Sequence, residues 1–201
     1  LAYRKTPATI ARKDARRKTL LDAATRLFGR CGYHASTVPM IVAEADSSVG
    51  SFYAHFRNKE DVFAAVLDAL GEKVMDAVTK ARASQSDPLK KIQFAVESLF
   101  LFLAKNPHEA RILIVESSGL SPRLEQVRRT ILKRHADQVR HTLESAPKLF
   151  TAIPSAIAAR CLVGAVFEAL YSWLEAAPHS RPSASKVARA VADYNARAIR
   201  R

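Results

Sequence analysis

The 201-residue chain has little of what would make it anything but helical: six glycines, two cysteines and few runs of Val, Ile and Thr. The scarcity of such runs argues against strands, and no glycine-rich phosphate loop is present. The two cysteines, Cys31 and Cys161, lie far apart in sequence with no CxxC or Cys/His spacing, so no metal or cofactor is expected. Both read as small buried residues of a protein in a reducing compartment. The basic opening LAYRKTPATIARKDARRK lacks the apolar core of a secretory signal. The most apolar later run, CLVGAVF, is flanked by Arg160 and Glu168 and is too short for a membrane span. A soluble, cytoplasmic protein without a membrane partner is the expectation. No nucleophile-elbow, zinc-ligand or phosphate-loop spacing joins the Ser, His and Asp residues, so an enzyme is not expected.

What the chain does have is alanine, leucine and charge: 48% apolar residues, a formal net charge of +13 and a pI near 10.1. That charge favours an anionic partner such as nucleic acid. It is uneven: through Glu60 there are eleven Lys and Arg against five Asp and Glu. A small basic head on a larger helical body follows.

Helical periodicity begins at Asp14, after a polar basic lead over residues 1–13 that reads as disordered, and Gly32 closes this segment. Thr37 caps a short segment with Pro39 just inside it, and Ser48 caps another that ends near Phe56. Asn58 caps a long amphipathic stretch through Val78. Asp87-Pro88, Asn106-Pro107 and Ser121-Pro122 each carry a cap followed by proline, Pro154 opens a segment to Ala177, and Ser183 caps the last. The expected fold is all-α with about nine helices: a three-helix head over residues 1–58 and a body over 59–201.

The stretch 47-SSVGSFYAHFRNKEDVF-63 is short, aromatic and basic. Two short helices joined near Ala45-Asp46-Ser47 make a helix-turn-helix unit, whose second helix enters the major groove and presents its first turns to base edges. Phe52 and Phe56, one turn apart, anchor that helix on Leu27, Phe28 and Ile41. Gly50 lets the backbone approach a duplex, Ser51 and Tyr53 offer hydroxyls, and Thr37 and Lys59 suit phosphate contacts. His55 suits either a phosphate contact or packing. Val49 fits either a thymine methyl or the core.

The run 37-TVPMIVAEADSSVGSFYAHFRNKEDVF-63, preceded by 27-LFGRCGY-33, resembles the signature of TetR-family transcriptional regulators. The likeness is specific over the head, and beyond it is one of plan only. It implies a homodimeric repressor of an inverted-repeat DNA operator, whose effector binds the body and separates or reorients the heads. It also places Thr37, Val49, Gly50, Ser51, Tyr53, His55 and Lys59 at positions that commonly face DNA. The turn departs from the family pattern, with Asp46-Ser47 where Gly-Val is usual.

In the body, residues 154–177 are apolar on more than one face. Leu162, Val166, Ala169 and Trp173 form one stripe, opposite the small-residue stripe Cys161, Gly164, Ala165, Glu168 and Ser172. Together with Val187, Val191 and Tyr194 of the last segment, the first stripe is the expected dimer seam. Apolar surplus in segments 88–105, 107–118 and 154–177 suggests a pocket for a small, largely apolar effector. Phe94, Glu97, Leu101, Glu116, Phe167 and Tyr171 are its candidate lining.

Overall fold

In the computed structural model the chain is described over residues 7–150, 153–177 and 179–201, and these form nine helices without a strand. They fall into two compact units, one ending at Leu67 and the other beginning at Asp68.

The head is built on α1 (Pro7–Ala35), whose buried Leu20, Ala23, Ala24, Leu27 and Phe28 recur at helical spacing. The expected start at Asp14 is corrected. Helix already runs from Pro7, because proline suits a first turn and the Ala, Arg and Lys that follow are strong helix formers. Residues 8–19 of this helix are exposed throughout, so its basic start forms an arm with no buried face. Residues 1–6 of the expected disordered lead lie outside the described residues.

Gly32 breaks the regular helix at φ 79°, a left-handed conformation that glycine adopts without strain. The wholly buried Ser36 donates its hydroxyl to the Gly32 carbonyl at 2.7 Å. Thr37, in extended backbone, then caps α2 (Val38–Glu44), and Ser48 caps α3 (Val49–Tyr53). Asn58 caps α4 (Lys59–Ala83) by accepting from the Asp61 amide at 2.8 Å. The boundary between the units falls inside α4, not before it at residue 59. The reason is that Val62, Phe63, Val66 and Leu67 are fully buried, with the Phe63 ring edge-on to Phe28 at 4.9 Å.

The body continues through α5 (Pro88–Lys105), the single turn α6 (Pro107–Ala110), α7 (Pro122–Ser145), α8 (Ser155–Glu175) and α9 (Ala184–Ile199). A wider π-helical turn, Arg111–Glu116, follows α6 and buries the consecutive Ile112, Leu113 and Ile114. Asp87, Ser121 and Ser183 cap as expected. Asn106 does not, because its amide turns back to donate to the Phe102 carbonyl at 2.7 Å. Helix α5 packs on α9 and α7 on α8, and Ile92, Leu143, Ala158, Leu162 and Ile199 meet in one apolar cluster. By length and composition alone α8 could cross a membrane. Here its Ala158, Ala159, Leu162, Val166 and Leu170 are buried within the body. Both cysteines are exposed, which corrects the expectation of burial: Leu162, next to Cys161, takes the inward position.

Helix α1 is clamped to α2 by Glu44, which accepts from Arg26 Nε at 2.9 Å and Arg30 Nη2 at 2.8 Å. The hydrogen bonds from Arg30 and Arg26 hold its carboxyl down at about 2, against an ordinary 4.5. A folded-state value below the unfolded one stabilises above the unfolded value and loses that contribution as pH falls. The head should therefore lose stability between pH 4.5 and about 2. Denaturant melts of Glu44→Gln should show a shallower decline across that window than the parent protein.

Candidate functional site

The turn between α2 and α3 carries the departure noted in the sequence. Asp46 sits at φ 46°, in the left-handed region where aspartate is among the few tolerated non-glycine residues. The amide of Ser47 still reaches the Val42 carbonyl at 2.9 Å, so the turn closes without Gly-Val. Its hydroxyl oxygen is buried with no partner, occupying the place of the usual apolar plug.

Phe52 and Phe56 are buried in the head, as anchors for α3. Val49 and Tyr53 stand out from it at 46% and 56% exposure. Gly50 is exposed too, and a Cβ built there would meet nothing within 4 Å. Nothing inside the chain requires glycine at this position. Thr37 lies on the same unit, exposed, with its oxygen accepting from the Met40 amide at 3.4 Å and its O–H left to donate.

Ser51 and His55 differ from that group. Both are half-buried, and Ser51 Oγ and His55 Nδ1 are enclosed without a partner from the chain. Burial, followed by the positive charges of Lys13, Arg17 and Arg16, lowers the His55 pKa and favours the neutral ring. The basic start of α1 thus lies beside α3, with the Arg17 guanidinium over the Phe56 ring at 5.1 Å. The sequence placed Lys13 in a disordered lead over residues 1–13, which carry no apolar stripe, and Arg16 and Arg17 at the start of the helix that follows.

Lys59 is placed differently from the sequence expectation. Its ammonium donates to the carbonyls of Tyr33 at 2.8 Å, Ser36 at 2.9 Å and His34 at 3.4 Å, and lies 4.3 Å from the centre of the Tyr33 ring. It closes the end of α1, and its burial lowers its pKa. This side chain is an internal tie.

Two hollows lie in the body. One is a largely apolar cavity of about 40 Å³, lined from α4, α5, α7, α8 and α9 by residues that include Val96, Leu99, Val166 and Phe167. It also carries Arg82, His135, Gln138 and Asn195, none of which the sequence pattern had singled out. His135 is 6% exposed and Asn195 0%, and His135 Nε2 and Asn195 Oδ1 have no partner from the chain. Leaving such a group unsatisfied costs about 1–3 kcal/mol. Burial, then the Arg82 charge, pushes the His135 pKa down to about 4, so the ring is neutral near pH 7. The other hollow is an open groove of about 970 Å³ between α7 and α8. Arg128, Arg129, Lys133, Arg140 and Arg160 line it against Asp137 and Glu168. Val163 and Phe167 belong to both hollows.

Of the expected effector residues, Phe167 and Tyr171 line the groove. Phe94, Glu97, Leu101 and Glu116 line neither hollow. Phe94 projects outward from α5, and Glu116 accepts from Arg111 Nε at 3.2 Å. The residues of the expected dimer seam fall in different environments. Leu162 and Val166 are core residues, and Ala169, Val187 and Val191 are half-buried. The Trp173 ring packs on Phe100 at 5.6 Å while its indole N–H donates to the Pro182 carbonyl at 2.9 Å. Tyr194 stays outside at 64% exposure. The exposed face of α8 carries Ile157, Cys161, Gly164 and Glu168, the last two of which also line the groove. Two apolar stripes on one helix look alike in sequence, and only packing shows which is covered.

A short helix held outward by a helix-turn-helix head defines a DNA-binding protein. Residues 20–66 match the model for bacterial regulatory proteins of the tetR family, so the head is that of a TetR-family transcriptional regulator. Among similar proteins is the HTH-type transcriptional activator FasR of Mycolicibacterium smegmatis, 29% identical over 56% of this chain and 51% of its own length. The HTH-type transcriptional repressor ComR of Escherichia coli is 30% identical over 62% of this chain and 60% of its own. The chain thus spans about half the activator's length and three-fifths of the repressor's. In fold it is similar to the transcriptional regulator FadR of Bacillus subtilis, solved in complex with stearoyl-CoA. That likeness has a TM-score of 0.80 at 19% identity, over 90% of this chain and 98% of the other.

Lys59→Ala should lower the stability of the head by roughly 1.5–3 kcal/mol, the range for hydrogen bonds to a charged group. Tyr53→Phe should leave it unchanged. Denaturant melts of the two variants check this, and an unaffected Lys59→Ala would mean the carbonyls are satisfied some other way.

Proposed function

We propose that the chain is a cytoplasmic repressor that binds an inverted-repeat operator as a homodimer and is released when the body takes up an effector. The observation that carries the DNA-binding part is the outward group on α2 and α3: Thr37, Val49, Gly50 and Tyr53, with the basic arm of α1 beside them. Gly50 is the most telling, since neither a left-handed φ nor internal packing calls for glycine there. A duplex against which the backbone must lie closely would call for it. Ser51 and His55, lacking partners within the chain, are the next candidates to meet DNA. Lys59 acts by positioning, through the end of α1.

A second copy of the chain is the proposed occupant of the exposed part of α8 at Ile157 and Cys161, which lies outside the groove, and of the exposed Tyr194 on α9. Two-fold protein symmetry then requires two-fold operator symmetry. The effector reading draws on the two hollows, which share Val163 and Phe167 in their walls. A groove with five basic side chains against two acidic ones suits an anionic group, and the apolar cavity beyond Val163 and Phe167 suits a hydrocarbon part. Arg128 Nε, buried and unpartnered, is one donor on offer. Together with the stearoyl-CoA complex of the B. subtilis protein, this supports an acyl thioester of coenzyme A as the effector class. To act, it must favour the arrangement that does not bind DNA. A hundredfold preference corresponds to about 2.7 kcal/mol of coupling.

Selection of bound sites from random DNA, followed by footprinting, tests the central reading: a single protected palindrome is expected, and uniform coating would instead indicate a packaging protein. Gly50→Ala should stabilise α3 by about 0.5–1 kcal/mol while weakening operator binding. A variant that binds as well as the parent removes Gly50 from the interface. Ile157→Arg should yield monomers by sedimentation and at least a tenfold loss of operator affinity, about 1.4 kcal/mol. An intact dimer would move the interface off α8.

A further inference from the structure

We propose that His135 and Asn195 form a specificity site that reads a hydroxyl group on the buried, hydrocarbon part of the effector. The proposal rests on the reading of the body as the effector-binding unit, and adds what kind of molecule it selects.

The cavity's other polar groups are already committed. Arg82 donates to Gln138 Oε1 at 2.9 Å, to the Gln138 carbonyl at 3.0 Å and to Thr142 Oγ1 at 2.5 Å. The Gln138 amide in turn donates to Thr79 Oγ1 at 3.1 Å. Asn195 is held from one side only: its Nδ2 donates to the Leu162 carbonyl at 3.2 Å. A carbonyl can only accept, so this bond fixes the amide with Oδ1 as the free acceptor. His135 Nε2 is the second uncommitted atom on the same cavity. Both residues are more than nine-tenths buried, and each unpaired atom works against folding.

The chemistry of the pair restricts what can complete it. Asn195 Oδ1 requires a donor, which excludes a carboxylate, an ether or a bare hydrocarbon. An ammonium would donate, but beside the Arg82 guanidinium it is repelled. A ketone could accept from His135 and would leave Asn195 unpaired. A hydroxyl does both, donating to Asn195 Oδ1 and accepting from a neutral His135 carrying its proton on Nε2. At about 40 Å³ the cavity has room for on the order of three water-sized groups, so the hydroxyl must sit on a short chain or branch.

The test uses the full-length protein, labelled with ¹⁵N so that the His135 ring nitrogens can be followed by NMR, and two free probes of similar shape, 2-butanol and 2-chlorobutane. We expect 2-butanol to shift the His135 Nε2 resonance saturably and to bind at least tenfold more tightly than 2-chlorobutane, with the preference lost in Asn195→Leu. If that variant does not fold, His135→Leu carries the same comparison by thermal shift. Equal binding of the two probes, a preference that survives the substitution, or a structural water that neither probe displaces would overturn the proposal. A parallel release assay on the protein–operator complex compares 3-hydroxybutyryl-CoA with butyryl-CoA. Equal release by both overturns the hydroxyl site and leaves the thioester reading standing. An alcohol preference at His135 without release by either thioester supports the site and removes the thioester reading.

Discussion

One ammonium group holds the head in register. Where α1 leaves helical geometry at Gly32, the carbonyls of Tyr33, His34 and Ser36 point to a single place, and Lys59 Nζ fills it with three donors. The side chain comes from the first residue of α4, so the bond ties the end of one helix to the start of another. The ring of Tyr33 covers the charge and packs on Phe63, the next large apolar residue of α4. On the other side of the corner, Glu44 fastens α2 to α1 through Arg26 and Arg30. Helix α3 therefore has little to hold by itself. With five residues it would not persist alone, since so short a helix does not repay its nucleation. Phe52 and Phe56 give it a seat, and Val49 and Tyr53 are freed to face outward.

The body solves a different problem with similar means. Its helices enclose a cavity that is apolar over most of its wall, yet a guanidinium, an imidazole and two carboxamides open onto it. Arg82 is kept acceptable there by a fan of acceptors from α7, and its charge is one reason His135 stays neutral. Such a network restricts what can enter more narrowly than a hydrocarbon wall would, because each uncommitted atom must be met by a hydrogen-bonding group.

Much of this was legible from residue order alone. Caps at Thr37, Ser48, Asn58, Asp87, Ser121 and Ser183 are local, since a side chain reaches its own helix within three residues, and so the segment starts could be read directly. The helix-turn-helix unit was legible for the same reason, down to the burial of Phe52 and Phe56. The part of the α1 arm before Asp14 was missed because periodicity detects only helices with a buried face, and this stretch has none.

The chain order thus determined the all-helical class, the caps, the helix-turn-helix and the excess of positive charge. Tertiary structure alone decided that Lys59 faces inward, that Leu162 and Val166 are core while Cys161 is not, and that Arg82, His135 and Asn195 meet around one cavity. These three residues come from α4, α7 and α9, with successive members up to 60 positions apart in sequence, and none is marked by its neighbours. The physical reason is one of range. A cap or an apolar stripe is set by atoms a turn away, whereas the partner of a buried polar group is set by how distant helices pack.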